Sequence, residues 1–320
     1  MDWSPDDKYI LSVSGDCTGA IWSLSSKTLD FILPHPSFVY CGKWLGSSEA
    51  LVTGGKDHMI RYWRKEGESF ELKEELGGHH GFVTALAVQG SSLLFSGDSN
   101  GILAVQKFNE SSNWTCIKRL TFDEISHKVI DSIHPHLGHR RILLTLRGKG
   151  SVMVDVVAGV ILQTYKAMVN ICARSVSCLT PCGSLLFSFC QNGDLNVWEV
   201  NTGKLLAVYE NLFPVDRLNE LGSCVHYHPF EHMIAFTVLG HCYPVYLLKY
   251  EQSPKTGDLK LHLTIKSHDD KTSTAGNNTT QLNDSVISLS TIKPDKLSLL
   301  VQKMDQVFTV KNDTQIDWSY

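Results

Sequence analysis

The sequence predicts an all-β fold, a β-propeller of small four-stranded antiparallel sheets set about an axis. Three observations predict it. Leu51–Trp63 reads as strand, turn and strand, with period-2 alternation on either side of Gly54-Gly55-Lys56-Asp57. The turn residue Asp57 and the closing Trp63 are about six residues apart, and that spacing returns from Asp16 to Trp22 and from Asn192 to Trp198. The turn joining the first two strands of each unit recurs at Ser4, Leu45, Gln89, His134, Thr180 and His228, roughly every 41 to 48 residues. A sheet of that size leaves both faces apolar, and stacking against its own repeats covers them.

Each unit then follows in order. The first is cut short: Asp2-Trp3 is the end of an inner strand, followed by Lys8–Val13, Gly19–Leu24 and Thr28–Leu33. The second has Phe38–Trp44, Ala50–Thr53, Met59–Trp63 and Ser69–Lys73, and the third Phe82–Val88, Leu93–Ser96, Ile102–Phe108 and Trp114–Lys118. The fourth has Val129–Ile133, Arg141–Leu146, Ser151–Val156 and Val160–Tyr165. The fifth has Ser175–Leu179, Leu185–Phe189, Leu195–Val200 and Leu205–Tyr209, and the sixth Cys224–Tyr227, Met233–Val238 and Val245–Tyr250. Six blades are thus readable in 1–250, out of an expected seven. The stretch 251–284 is rich in Ser, Thr, Asn, Lys and Asp, which predicts a flexible polar linker. In 285–320 alternation returns weakly at Val286–Leu289, Leu297–Val301 and Val307–Val310, strands that would complete or cap the propeller.

Composition narrows the function classes. With 29 basic and 33 acidic residues the net charge is −4, so no basic stripe for nucleic acid is expected. No apolar run approaches the roughly 18–20 residues of a membrane span. Met1 is followed by Asp2-Trp3-Ser4-Pro5-Asp6-Asp7, which is not a secretory leader and suggests a cytoplasmic protein. Nine cysteines are scattered. Cys41, Cys172, Cys178, Cys190 and Cys224 lie in apolar runs and are expected as buried, reduced thiols.

The second unit carries a complete set for a buried hydrogen-bond relay: His35, Thr53, Asp57 and Trp63. A buried imidazole needs both ring nitrogens satisfied. Asp57 on one nitrogen and Thr53 on the other, with the Trp63 indole donating to the hydroxyl, would do so. The first unit supplies Ser12, Asp16 and Trp22; the third supplies His79 and Ser96, with Asn100 and Gln106 where the aspartate and tryptophan would stand. The fourth has Gly148 at the aspartate position.

Units with an early histidine, a Ser-Pro-Asp-type turn and a terminal Trp resemble the WD40-repeat family. LPHPSFVY (Leu33–Tyr40), TPCGSLLF (Thr180–Phe187), YHPFEHMIAF (Tyr227–Phe236) and MIRYW (Met59–Trp63) are similar, more narrowly, to the WD40 portion of a group of ciliary proteins. That resemblance covers about Asp2 to Tyr250. It implies a non-enzymatic protein–protein interaction scaffold in cilium assembly, at the basal body or transition zone or at cell–cell contacts, with ciliary or junction proteins as partners. The group also carries a long N-terminal region and an SH3 domain that this sequence does not show, so a fragment or short isoform is expected.

In WD40 folds the binding face is built from residues just after the opening histidine and before the turn aspartate. Here those are Phe38, Tyr40, Lys56, Phe82 and Thr84. The aromatics either form an anchor cluster or pack under the neighbouring blade. Two other readings remain: a recruiting or adaptor subunit of another cytosolic complex, and a propeller hydrolase using the central channel. The inner strands carry no paired carboxylates, which disfavours the hydrolase. His134-Pro135-His136-Leu137-Gly138-His139 and Cys178–Cys182 lack zinc-site spacing. Gly77-Gly78 precedes His79 and not the Lys-Ser/Thr pair of a phosphate loop. No metal, cofactor, small-molecule substrate, nucleic acid or membrane partner is expected. Arg140-Arg141 and Arg147-Gly148-Lys149 form a small cationic patch suited at most to an acidic partner.

Overall fold

The computed structural model describes residues 1–109, 113–137, 140–166, 174–189, 194–209, 223–228, 230–231, 233–238, 245–252, 259–266 and 284–288. Strands dominate, grouped in six sheets. Blade 1 holds β1 (Asp2–Trp3), β2 (Tyr9–Val13), β3 (Thr18–Ser23) and β4 (Thr28–Pro34). Blade 2 holds β5 (Val39–Trp44), β6 (Ala50–Gly55), β7 (Ile60–Glu66) and β8 (Ser69–Leu76). Blade 3 holds β9 (Val83–Gln89), β10 (Leu93–Asp98), β11 (Leu103–Phe108) and β12 (Trp114–Leu120). Blade 4 follows a 3₁₀ turn at Asp123–Ile125 and holds β13 (Ile130–Pro135), β14 (Arg141–Leu146), β15 (Gly150–Asp155) and β16 (Val160–Tyr165). In all four, sequence neighbours pair antiparallel, as the β-propeller expectation requires.

The chain divides into two compact units, Met1–Ile171 and Cys172–Tyr320. In the second, β17 (Ser175–Val176) and β18 (Cys178–Leu179) share the run expected as one inner strand. β18 pairs onward with β19 (Leu185–Phe189), β20 (Leu195–Glu199) and β21 (Leu205–Tyr209). β17 instead runs parallel to β22 (Ser223–Tyr227), the start of a sheet that continues through β23 (Met233–Val238) and β24 (Val245–Gln252) to β25 (Leu259–Lys266) and β26 (Asp284–Ser288).

Strand β25 corrects the expected linker at 251–284. It pairs along its full length with β24, from Val245↔Lys266 to Gln252↔Leu259. Its sequence, LKLHLTIK, alternates apolar and polar residues as a half-buried strand does. Averaging composition across the whole polar stretch hid it. Leu297–Val301 and Val307–Val310 lie outside the described residues.

Core residues sit between blades because the middle strands of blades 2 to 4 are buried on both faces. On β6, Leu51 packs with Leu11, Ile21 and Trp63 against blade 1, while Val52 packs with Ile60 and Val83 against blade 3. That explains why β6 reads as a continuous apolar run. Small residues let the blades close up. A Cβ on Gly54 would lie 2.6 Å from Val83 Cγ1, and one on Gly97 would lie 2.7 Å from Ile130 Cγ2. Each glycine follows a relay hydroxyl, Thr53 or Ser96, and faces the first inner residue of the next blade.

Cys41 and Cys178 are buried as expected, but Cys224 is exposed: its strand turns that side chain outward. Cys172 and Cys190 lie outside the described residues.

Candidate interaction face and the relays beneath it

Blade 2 builds the relay with one substitution of partner. Trp63 Nε1 donates to Thr53 Oγ1 at 2.9 Å, and Thr53 Oγ1 lies 2.7 Å from His35 Nε2. His35 Nδ1 is 2.8 Å from the carbonyl of Leu33, which assigns the proton to Nδ1 and makes Nε2 the acceptor of the Thr53 hydroxyl. The expected Asp57–His35 bond does not form. Asp57 ion-pairs with Arg61 NH2 at 2.6 Å, and the almost fully buried Arg61 also reaches Glu75 at 2.8 Å. A buried guanidinium needs carboxylates more than a neutral imidazole does, so it takes the aspartate. Burial lowers the pKa of His35 below its ordinary 6.5, opposed by the Leu33 carbonyl, with Arg61 adding to the lowering and Asp57 opposing it from a distance.

Blade 3 corrects the reading in the other direction. His79 Nε2 lies 2.8 Å from Ser96 Oγ, as expected, but Nδ1 meets Asp98 Oδ2 at 3.1 Å. Asn100 is not the aspartate's replacement; its backbone N–H donates to Asp98 Oδ1 at 2.9 Å. Gln106 takes the place of the indole, its Nε2 donating to Ser96 Oγ at 3.0 Å. Burial alone would raise the pKa of Asp98. Hydrogen bonds from His79 and from the amides of Ile102 and Asn100 outweigh it and hold the carboxyl below its ordinary 3.8. His, Asp and Ser in this order look like a hydrolytic triad. Yet Ser96 and Asp98 are fully buried and His79 nearly so, which leaves a substrate no access to the hydroxyl.

The other units keep fragments. Ser12 Oγ accepts from Trp22 Nε1 at 2.8 Å in blade 1, while Asp16 is occupied by Thr18 at 2.7 Å. In the fifth sheet Trp198 Nε1 donates to Ser188 Oγ at 3.2 Å; Ser188 was not singled out from sequence, and Asn192 lies outside the described residues. Each hydroxyl–donor pair is ten residues apart, as the hydrogen bonds of Ser12, Thr53, Ser96 and Ser188 all show, and that spacing would have found Ser188. Blade 4 substitutes an ion pair. Arg147 NH2 reaches the fully buried carboxylate of Asp131 at 2.6 Å. Arg140 pairs with Asp155 at 2.5 Å, and Lys149 donates to the Glu124 carbonyl, so three cations of the small basic patch are engaged internally. Of the histidine run, His139 lies outside the described residues, and no metal-ligating cluster occurs among the described residues.

The relays brace the turns that carry the expected face. Phe38 and Phe82 are 43% and 37% exposed, so neither packs away under a neighbouring blade. Lys56 Nζ stands 5.1 Å above the Phe38 ring, and the Lys56 amide donates to the Phe38 carbonyl at 2.8 Å. Tyr40 and His58 flank Phe82, with ring centroids 6.2 and 5.4 Å away. Thr84 belongs to the scaffold instead. Its hydroxyl donates to the Ile130 carbonyl at 2.7 Å, tying β9 to β13, so that position braces blades 3 and 4. His58 was missed from sequence because its place in the cluster depends on a positive φ of 67° in the turn after Asp57.

A family model for the WD domain, G-beta repeat, matches residues 1–23 and 26–64, blade 1 and the first three strands of blade 2. Those residues are WD40 repeats. The chain is also similar to jouberin of Rattus norvegicus and of Mus musculus, each 30% identical over 267 residues, which is 78% of this chain and 25% of the relative. The chain therefore spans about a quarter of the length of these relatives, and it is jouberin-like in that part. The matched repeats end at residue 64, within β7 of blade 2, so blade 3 with its Asp98 and Gln106 lies beyond them.

Proposed function

We propose that this chain is a non-enzymatic interaction scaffold whose partner-binding face is Phe38, Tyr40, Lys56, His58 and Phe82. The observation that carries the proposal is the pair of partly exposed phenylalanines, Phe38 under the Lys56 ammonium and Phe82 against the His58 ring. Aromatic residues fixed on a stiff frame lose little entropy on binding and dominate interface energies. WD40 repeats and likeness to jouberin support the adaptor class. The ciliary setting, at the basal body or transition zone with ciliary partners, rests on the resemblance of the short segments named from sequence.

Tagged wild-type chain and the Phe38→Ala/Tyr40→Ala double variant, expressed in ciliated cells, test both parts. Wild type is expected at the ciliary base, with co-precipitating proteins that the double variant loses while its circular dichroism is unchanged. Diffuse wild-type staining would remove the ciliary setting, and identical partner sets would remove this face.

A further inference from the structure

We infer that the Phe38–Phe82 face selects an acidic linear peptide, one in which a Glu or Asp side chain is flanked by large apolar residues. This deepens the interaction reading above and rests on it.

The charge balance of the face carries the inference. The chain as a whole is acidic, with a net charge of −4, yet the exposed side chain at the centre of this cluster is a lysine. Among the described residues Lys56 has no carboxylate partner. Its ammonium group lies over the Phe38 ring, shielded from water on that side. The acids that share these turns are already committed. Asp57 pairs with Arg61, Asp98 is held by His79 and turn amides, and Asp16 accepts from Thr18. A cation with an aromatic ring on one side and no anion beside it is a ready partner for a carboxylate.

His58 adds a second, independent observation. Its Nδ1 is shielded from water and has no hydrogen-bond partner, while the ring leans on Phe82. A peptide oxygen that reached this nitrogen as the ring turned would give it the partner it lacks. The two phenylalanines then receive the apolar neighbours of the carboxylate. A basic peptide would meet Lys56 with like charge, and a purely polar acidic one would leave both rings wet.

The test uses the full chain and a fluorescein-labelled peptide alternating Glu with Phe and Leu, read by fluorescence polarisation. Saturable binding is expected, weakening as salt rises. Lys56→Glu, an exposed change that leaves the fold alone, should weaken it about tenfold or more, and Phe38→Ala by a comparable factor. Replacing every Glu of the peptide by Gln should also cost about tenfold. If Lys56→Glu and the Gln peptide change nothing while Phe38→Ala abolishes binding, the acidic class is wrong and the face stands. If all three leave affinity unchanged, or no peptide binds, both readings fall. Sedimentation completes the test: a concentration-dependent dimer that Lys56→Glu disperses would make a second copy the occupant and overturn the peptide assignment.

Discussion

Blades 2 and 3 carry the same machine with different parts. In each, a histidine, a hydroxyl and a side-chain N–H ten residues further on form a chain: His35–Thr53–Trp63 and His79–Ser96–Gln106. They differ at the far nitrogen of the imidazole, which blade 2 gives to the Leu33 carbonyl and blade 3 to Asp98. Asp98 stands two residues after the hydroxyl. Gly55 holds that position in blade 2, and a Cβ there would lie 2.4 Å from the Phe38 carbonyl. Blade 2 cannot place an acid where blade 3 does. Its own acid, Asp57, sits two residues later and faces Arg61, where blade 3 has Ala104. A relay is therefore decided by which groups compete for each member, and residue type alone does not settle it.

Substitutions can break this comparison at several points. The largest effect is expected from the closing residue. Trp63 is 4% exposed and its blade 1 counterpart Trp22 is 42% exposed, though both bond a hydroxyl. Trp63→Ala should cost about 3–5 kcal/mol. Trp22→Ala should cost roughly 1 kcal/mol, since it gives up less buried area. Equal shifts of the urea midpoint would mean that the hydrogen bond, and not burial, sets the value of this position.

Next comes the acid. Asp98→Ala strands His79 Nδ1 and the amides of Asn100 and Ile102 inside blade 3, for about 3 kcal/mol. Asp57→Ala leaves the buried Arg61 with Glu75 as its remaining carboxylate and should cost about 1–2 kcal/mol, less than Asp98→Ala. Native-state hydrogen exchange at the amides of each blade separates the two, and the reverse ranking would return Asp57 to the relay.

Thr53→Val comes after Asp98→Ala. It keeps the shape but leaves His35 Nε2 and Trp63 Nε1 without their shared partner, at about 1–3 kcal/mol. Blade 2 exchange should quicken while blade 4 exchange holds.

The smallest effect is one of pH. The folded pKa of His35 lies below 6.5, so the unfolded chain takes up its proton first as pH falls. The contribution is complete above about pH 6.5 and is lost progressively below it. Asp98, with its pKa held below 3.8, contributes above that value and loses its share only as the pH drops through the folded pKa. Exchange at blade 2 amides, corrected for intrinsic rates, should thus loosen between about pH 7 and about pH 5 in wild type and stay flat in His35→Gln. A flat wild-type profile would mean that His35 takes up its proton equally readily folded and unfolded.

Several of these features were legible before any coordinates. The strands of blades 2 and 3 were, because period-2 alternation and Gly-containing turns are local signals: Ala50–Thr53 became β6 and Leu93–Ser96 became β10 with their ends extended by two residues. Strand β25 was not, since its own alternation is drowned in the surrounding polar composition. At the face, Phe38, Tyr40, Lys56 and Phe82 could be named from their places beside the relay. His58 could not, as only its left-handed backbone turns it toward Phe82.

By itself the sequence determined the all-β repeat and the hydroxyl–indole pairs of blades 1 and 2, Ser12–Trp22 and Thr53–Trp63, because spacing along a strand dictates which side chains share a face. Tertiary structure decided the partners of Asp57 and His79, the inward use of Thr84 and the exposure of the two phenylalanines. Those depend on distances between blades, where a glycine, an arginine or a neighbouring carbonyl determines which hydrogen bond has room to form.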